Sequence, residues 1–247
     1  MDRRDFVLRA LDAVIDPELD EPITDLGFVH TVDVAADGDV TVHLRLPTSF
    51  CSPNFAYLMA SDSKDVLTAL DWTRHVTVEL DDHHDSAIIN AGLAADAGYR
   101  GTFRHEAEDS LDELRETFRR KAHTAAMERC LTAMLRADRT RTEASIGSVR
   151  LGDLPDDDAT TSLLKRRASI GLSTAPDQLV MVDHHGDGYP PDTVPMALRR
   201  ARSTRISIDG NAHFCRGLLR TRYTDGGSET ITANEPQLTL VGRNAQQ

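Results

Sequence analysis

Apolar residues recur at three- and four-residue steps near the start of the chain, at Val7, Leu8, Leu11, Val14 and Ile15. That spacing predicts an amphipathic helix that stops at Asp16-Pro17, because proline cannot continue it. A loop, DPELDEPITDLG, follows. From Phe28 to Val34 and from Val40 to Leu46 the period changes to two, with Val32 and Val34, then Val40, Val42, Leu44 and Leu46, flanking the turn signal ADGD. This reads as a hairpin with one face in a core. Ser52 can cap and Pro53 can open a second helix with Phe55, Leu58, Met59, Val66 and Leu70 on one stripe. HVTVEL, His75 to Leu80, alternates again as a third strand. A strand, a crossover helix and a strand in one sheet normally run parallel. Residues 1–82 therefore read as a small α+β domain in the order helix-β-β-helix-β.

Residues 83–247 change character and read as a helix-rich, mixed α/β accessory region suited to binding a client. SAIINAGLAADAGY predicts a short helix, and LDELRETFRRKAHTAAMERCLTAMLRA a long one carrying Leu111, Leu114, Phe118, Ala122, Ala125 and Leu135. LGDLPDDDATT reads as an acidic connection, QLVMV as a buried strand, VPMALRRAR as a helix, RISID as a strand and GNAHFCRGLLRTRY as a further helix. The last residues, TDGGSETITANEPQLTLVGRNAQQ, predict a turn, one edge strand and a disordered end.

Charge narrows the function classes. With 28 Lys+Arg against 40 Asp+Glu the net charge is -12, which repels polyphosphate and argues against nucleic acid or anionic membrane as the main partner. No apolar leader core and no apolar stretch near the roughly 18 residues of a membrane span is present, so a cytoplasmic location is expected. Cys51, Cys130 and Cys215 are the 3 cysteines; they form no CxxC motif, and any cysteine chemistry uses single thiols.

Cys51 sits in PTSFCSPNFAYLM, where a strand ends and a helix begins. Unpaired N–H groups and the dipole at a helix N-terminus favour a thiolate, a better metal ligand and nucleophile than a thiol. A small buried hydrophobe is the competing reading, and position alone does not decide between them. DPELDEPITDLGFV, Asp16 to Val29, followed by a hairpin and then T-x-x-C, Thr48 to Cys51, resembles the PaaD/SufT-like iron-sulfur cluster assembly family over about residues 5 to 80. The resemblance implies an α+β fold and an accessory role in maturing iron or iron-sulfur proteins, with iron or a cluster handled transiently. By position it implies Cys51, Asp16, Glu18, Asp25 and Thr48 as the residues that handle metal or cluster. Members usually place proline directly after the cysteine, whereas here Ser52 intervenes, which moves the helix start one residue on. Asp16 and Glu18 also have a plain structural use in shaping a turn, as Gly27 has in supplying a backbone conformation.

Two strand ends carry nearly the same word, DDHHDS at Asp81 to Ser86 and VDHHGDG at Val182 to Gly188. Imidazole beside carboxylate suits iron(II), manganese or zinc, which makes His83, His84, Asp85, His184 and His185 weaker metal candidates, with His213 and Cys215 able to converge on His184. Solvated or hydrogen-bonded histidines are the usual alternative. The word also resembles that of the Asp-His-His metal phosphoesterases, but their early aspartate motifs are missing. The Glu-x-x-His pair of di-iron bundles is absent as well, so the chain is not itself a di-iron oxygenase. FRRK at Phe118 to Lys121 and ALRRARSTR at Ala197 to Arg205 are basic islands, either solvated helix faces or docking surfaces for an acidic partner. An assembly-like domain ahead of the long helix also resembles accessory proteins of actinobacterial soluble di-iron monooxygenases, which implies a di-iron hydroxylase of the propane type as client. The leading expectation is thus a maturation factor that does not catalyse bond chemistry. A metal-dependent hydrolase using the Asp-His-His words and a structural binding module are the alternatives, and a homo-oligomer is compatible with each.

Overall fold

The structure, a computed structural model, describes residues 2–103 and 111–223. The segment TDGGSETITANEPQLTLVGRNAQQ, with its expected edge strand, lies outside the described residues. The first helix, α1 (Arg3–Leu11), is shorter than its apolar period. Val14 and Ile15 leave the helix because Ile15–Asp16 (β1) pairs antiparallel with Glu21–Pro22 (β2), and the Ile23 N–H closes on the Val14 carbonyl at 3.0 Å. Val14 still points into the core, which is why its spacing mimics another helical turn.

The hairpin forms as expected from β3 (Val29–Val34) and β4 (Val40–Arg45), antiparallel with Val32 opposite Val42. Its turn needs Gly38, where φ is +96° and an added Cβ would lie 2.6 Å from the Trp72 carbonyl. Helix α2 (Pro53–Thr68) then crosses to β5 (Val76–Asp81), which runs parallel to β4 in a sheet of order β3-β4-β5. Alternation puts Val40, Val42, Leu44, Val76, Val78 and Leu80 on the buried face. The architecture is α+β.

Beyond β5 the expected short helix is two, α3 (Ser86–Ala94) and α4 (Gly98–Phe103), broken where Asp96 and Gly98 take positive φ. The long helix α5 (Leu111–Ala137) has the predicted bounds. α6 (Asp158–Ser169) was not expected; the Asp157 side chain caps it by accepting the Thr160 N–H at 2.9 Å. QLVMV is not a strand. It makes only isolated bridges, Leu179 to Arg150 and Val182 to Gly188, because the buried Arg167 side chain donates to the Leu179 carbonyl at 3.0 Å and occupies an acceptor a ladder would use. RISID is not a strand either: VPMALRRAR, RISID and GNAHFCRGLLRTRY form one helix, α7 (Val194–Tyr223). Helical spacing there lets Arg205 pair with Asp209 at 2.8 Å, one turn on. Among the described residues no helix is long and apolar enough to cross a membrane.

Two cores result. One gathers the sheet, α1, α2 and α3; the other gathers Met127, Cys130, Leu131, Ile146, Leu163 and Leu198. α7 serves both, since Val194, Leu198 and Ala201 belong to the second core while Ala212 and Leu219 belong to the first. α5 also reaches across, through the Arg115–Asp62 ion pair and the edge of Phe118 against Phe55 at 5.0 Å.

Candidate functional site

Cys51 closes the loop after β4 and is half-exposed. Ser52 is the N-cap of α2 and Pro53 its first residue, so the inserted serine moves the helix start one place past the cysteine. The Thr48 hydroxyl lies 3.7 Å from the Cys51 sulfur. That oxygen already accepts the Phe50 N–H at 3.1 Å, which leaves its proton free for the sulfur.

The first Asp-His-His word clamps this loop. His83 Nε2 donates to the Cys51 carbonyl at 2.8 Å, while its Nδ1 accepts the Asp85 N–H at 3.0 Å. Both ring nitrogens are occupied, which fixes one neutral tautomer. The His84 N–H donates to the Ser49 carbonyl at 2.9 Å, and its ring stacks on Phe50, an 83 % exposed side chain beside the thiol. Asp85 is the N-cap of α3.

Asp16 is nearly buried. One carboxylate oxygen accepts the N–H groups of Glu18 and Leu19, each at 2.8 Å, and burial pushes the carboxyl up to about 6 despite those bonds. Glu18 accepts the Asn211 amide of α7 at 3.2 Å. Asp25 is exposed on the turn before β3 and does not join them.

A cavity of ≈ 50 Å³ is lined by Asp16, Glu18, Leu19, Phe28, Cys51 and Cys215 among others. Cys215 therefore meets Cys51 and not His184. His213 is exposed; the His184 and His185 rings lie 3.9 Å apart, tilted by 42°, in a turn where Asp183 accepts the His185 N–H at 2.8 Å and the Asp187 N–H at 3.0 Å. Burial, then the Cys51 sulfur, Asp16 and Glu18 push the Cys215 thiol up to about 11. Cys130 lies in the second core, where burial also raises its thiol to about 11. Among the described residues no group of three or more His, Cys, Asp or Glu is disposed to hold a metal ion. The donor types around Cys51 suit iron, but they are not a closed cage.

Two contacts were missed from the sequence, and both come from α7. Arg222 donates to the Leu46 carbonyl at 3.1 Å, the Ser49 hydroxyl at 2.8 Å and the Asp82 carbonyl at 2.5 Å, pinning both ends of the cysteine loop. Cys215 is the other. The signal was present in Ile208, Ala212, Cys215, Leu219 and Tyr223, which fall on one helical stripe once RISID is read as helix. Much of the second basic island is spent internally: Arg202 and Arg205 pair with the buried Glu128, and Arg199 with Glu143 at 3.4 Å. In the first, Arg120 pairs with Glu116 at 2.9 Å and Lys121 sits over Phe118.

Comparison with known proteins places the first unit. Residues 4–80 match the family model described as iron-sulfur cluster assembly protein. The uncharacterised protein MJ1129 of Methanocaldococcus jannaschii is 30 % identical over 90 residues, which cover 36 % of this chain and 93 % of that protein. The chain belongs to the iron-sulfur cluster assembly family. An Fe-S protein maturation auxiliary factor of Porphyromonas gingivalis is 44 % identical over 45 residues, 18 % of this chain and 43 % of that factor, so the chain spans less than half of that relative. No solved structure matches. The family match ends at Leu80, and α3 to α7 lie beyond it.

Proposed function

We propose that this member of the iron-sulfur cluster assembly family is an accessory factor that passes iron, alone or within a cluster, to a client enzyme through Cys51. The observation that carries the reading is the placement of a half-exposed thiol at the mouth of a small cavity, in the family-matched unit, with the Thr48 hydroxyl at 3.7 Å and a helix N-terminus one residue on. His83 and Arg222 hold the loop's backbone while the sulfur stays accessible. Cluster iron takes four ligands, so a site short of that number suits cargo that leaves for a client with a fuller ligand set. A di-iron hydroxylase of the propane-oxidising type is the client class we favour, and residues 83–247 are the part of the chain we assign to recognising it.

Mass-mapped alkylation and client loading test the reading. Cys51 should label ahead of Cys130 and Cys215, whose thiols burial pushes up to about 11. Cys51→Ser should fold normally yet lower the iron content of a hydroxylase expressed with it, because a hydroxyl that stays protonated replaces a soft thiolate of similar volume. Normal iron loading with a well-folded Cys51→Ser protein would sink the assignment.

A further inference from the structure

We propose that Cys215 of α7 is the second sulfur ligand of the Cys51 site, so that the family unit and the C-terminal helix together form a two-thiol landing for a thiophilic divalent cation, iron(II) foremost. The inference rests on the reading that Cys51 handles iron, and extends it to a residue outside the family-matched segment.

Three observations carry it. Cys51 and Cys215 come from separate elements and line the same ≈ 50 Å³ cavity. A cavity that size has room for a small ion and its water ligands. Two carboxylates also stand on the cavity wall, since Asp16 and Glu18 line it together with the two sulfurs; negative groups gathered at one cavity favour a cation there. Lastly, Cys215 is held in place. Asn211 binds Glu18 at 3.2 Å one turn before it, Arg216 pairs with Glu21 directly after it, and Arg222 anchors the end of the helix.

Cys215 is half-buried and packs against the first core near Ala212 and Leu219, but unlike the buried Cys130 it also lines a cavity shared with Cys51, Asp16 and Glu18. Two thiolates leave a four-coordinate ion with open positions. Water or an incoming client's ligands can fill these, which suits release better than storage.

Anaerobic titration of the full chain with cobalt(II), a spectroscopic substitute for iron(II), tests the proposal. Thiolate-to-cobalt charge-transfer absorption grows with the number of thiolates bound. Wild type and Cys130→Ser should give the same band, and Cys215→Ser and Cys51→Ser should each reduce it by half or more. An undiminished band in a folded Cys215→Ser protein overturns the second ligand while leaving the Cys51 reading intact. Absence of any thiolate band in wild type overturns both. Alkylation of the wild-type chain with and without cobalt(II) requires no variant: cobalt should protect both Cys51 and Cys215 and leave Cys130 unaffected. Protection of Cys51 alone refutes the proposal.

Discussion

Arg222→Met removes three hydrogen-bond donors from the cysteine loop, together with the guanidinium that sits over the Tyr223 ring at 5.1 Å. The wild-type guanidinium reaches Leu46, Ser49 and Asp82, two of these bonds in part-buried surroundings and the third exposed. Hydrogen bonds to a charged donor are worth about 1.5–3 kcal/mol when shielded, but water replaces much of that at a half-exposed arginine. Assigning about 1 kcal/mol to each part-buried bond and nothing to the exposed one gives a loss of about 2 kcal/mol. If that loss is local, the loop should open about 30-fold more often, at 1.4 kcal/mol per decade. Hydrogen exchange of residues 46–52 and 82–84, followed alongside the alkylation rate of Cys51, reads this directly. Faster exchange confined to those segments is the expected result, and Arg222→Lys should restore part of the protection by keeping a charged donor. Unchanged exchange there, or an increase spread evenly over the chain, would refute the view that α7 clamps the loop.

His123 is 2 % exposed, its Nε2 has no hydrogen-bond partner, and burial together with Arg167 lowers it from 6.5 to about 4. The unfolded chain therefore takes up the proton first, and stability is lost as pH falls from 6.5 towards 4, by about 3 kcal/mol in full and about 2 kcal/mol by pH 5. Urea unfolding of His123→Leu across that range should give a flatter profile than wild type; parallel profiles would refute the shift. Asp16→Asn keeps an oxygen for the Glu18 and Leu19 N–H groups and should fold normally, whereas Asp16→Ala loses both bonds and about 2 kcal/mol. Equal cobalt(II) affinity in Asp16→Asn and wild type would leave Asp16 only its role in the turn. Glu128→Ala strips the fully buried partner of Thr132, Arg202 and Arg205 and should cost about 3 kcal/mol, measured by thermal unfolding. A fragment of residues 1–82 should unfold cooperatively, and extension to residue 94 should add about 2 kcal/mol through burial of Ile89 and Leu93; a fragment without a cooperative transition counts against that boundary.

The first unit was legible because its signals are local. Alternation at Val40, Val42 and Leu44, the Ser52-Pro53 start and the ADGD turn each act within a few residues, and tertiary contacts reinforce them. The end of α1 was misread because Val14 is buried through strand pairing and not through another helical turn. In α7, Gly210 and the alternating Ile206 and Ile208 mimic a strand and a break. The helix persists because Arg205 and Asp209 pair one turn apart and the Ile208, Ala212, Leu219 stripe has a core to enter. The site followed the same division. Thr48, Cys51, Asp16 and Glu18 are near one another in the fold through the small domain alone, whereas Cys215 depends on a helix whose path no local pattern specifies.

The 90 residues shared with MJ1129 cover 93 % of that protein but only 36 % of this chain. The family match ends at residue 80, and what α7 adds beyond it falls on the side of Cys51. Leu219 comes within 3.3 Å of where a side chain on Gly27 would begin, and Gly27 holds φ at +76°. Any larger residue there would strain the turn and press on α7 together. The glycine of the Asp-Leu-Gly word thus meets two demands, one from the turn and one from the docked helix. The same helix carries Asn211, Cys215 and Arg222 to Glu18, the cavity and the loop, so the surroundings of Cys51 are built from both the family-matched unit and the C-terminal region.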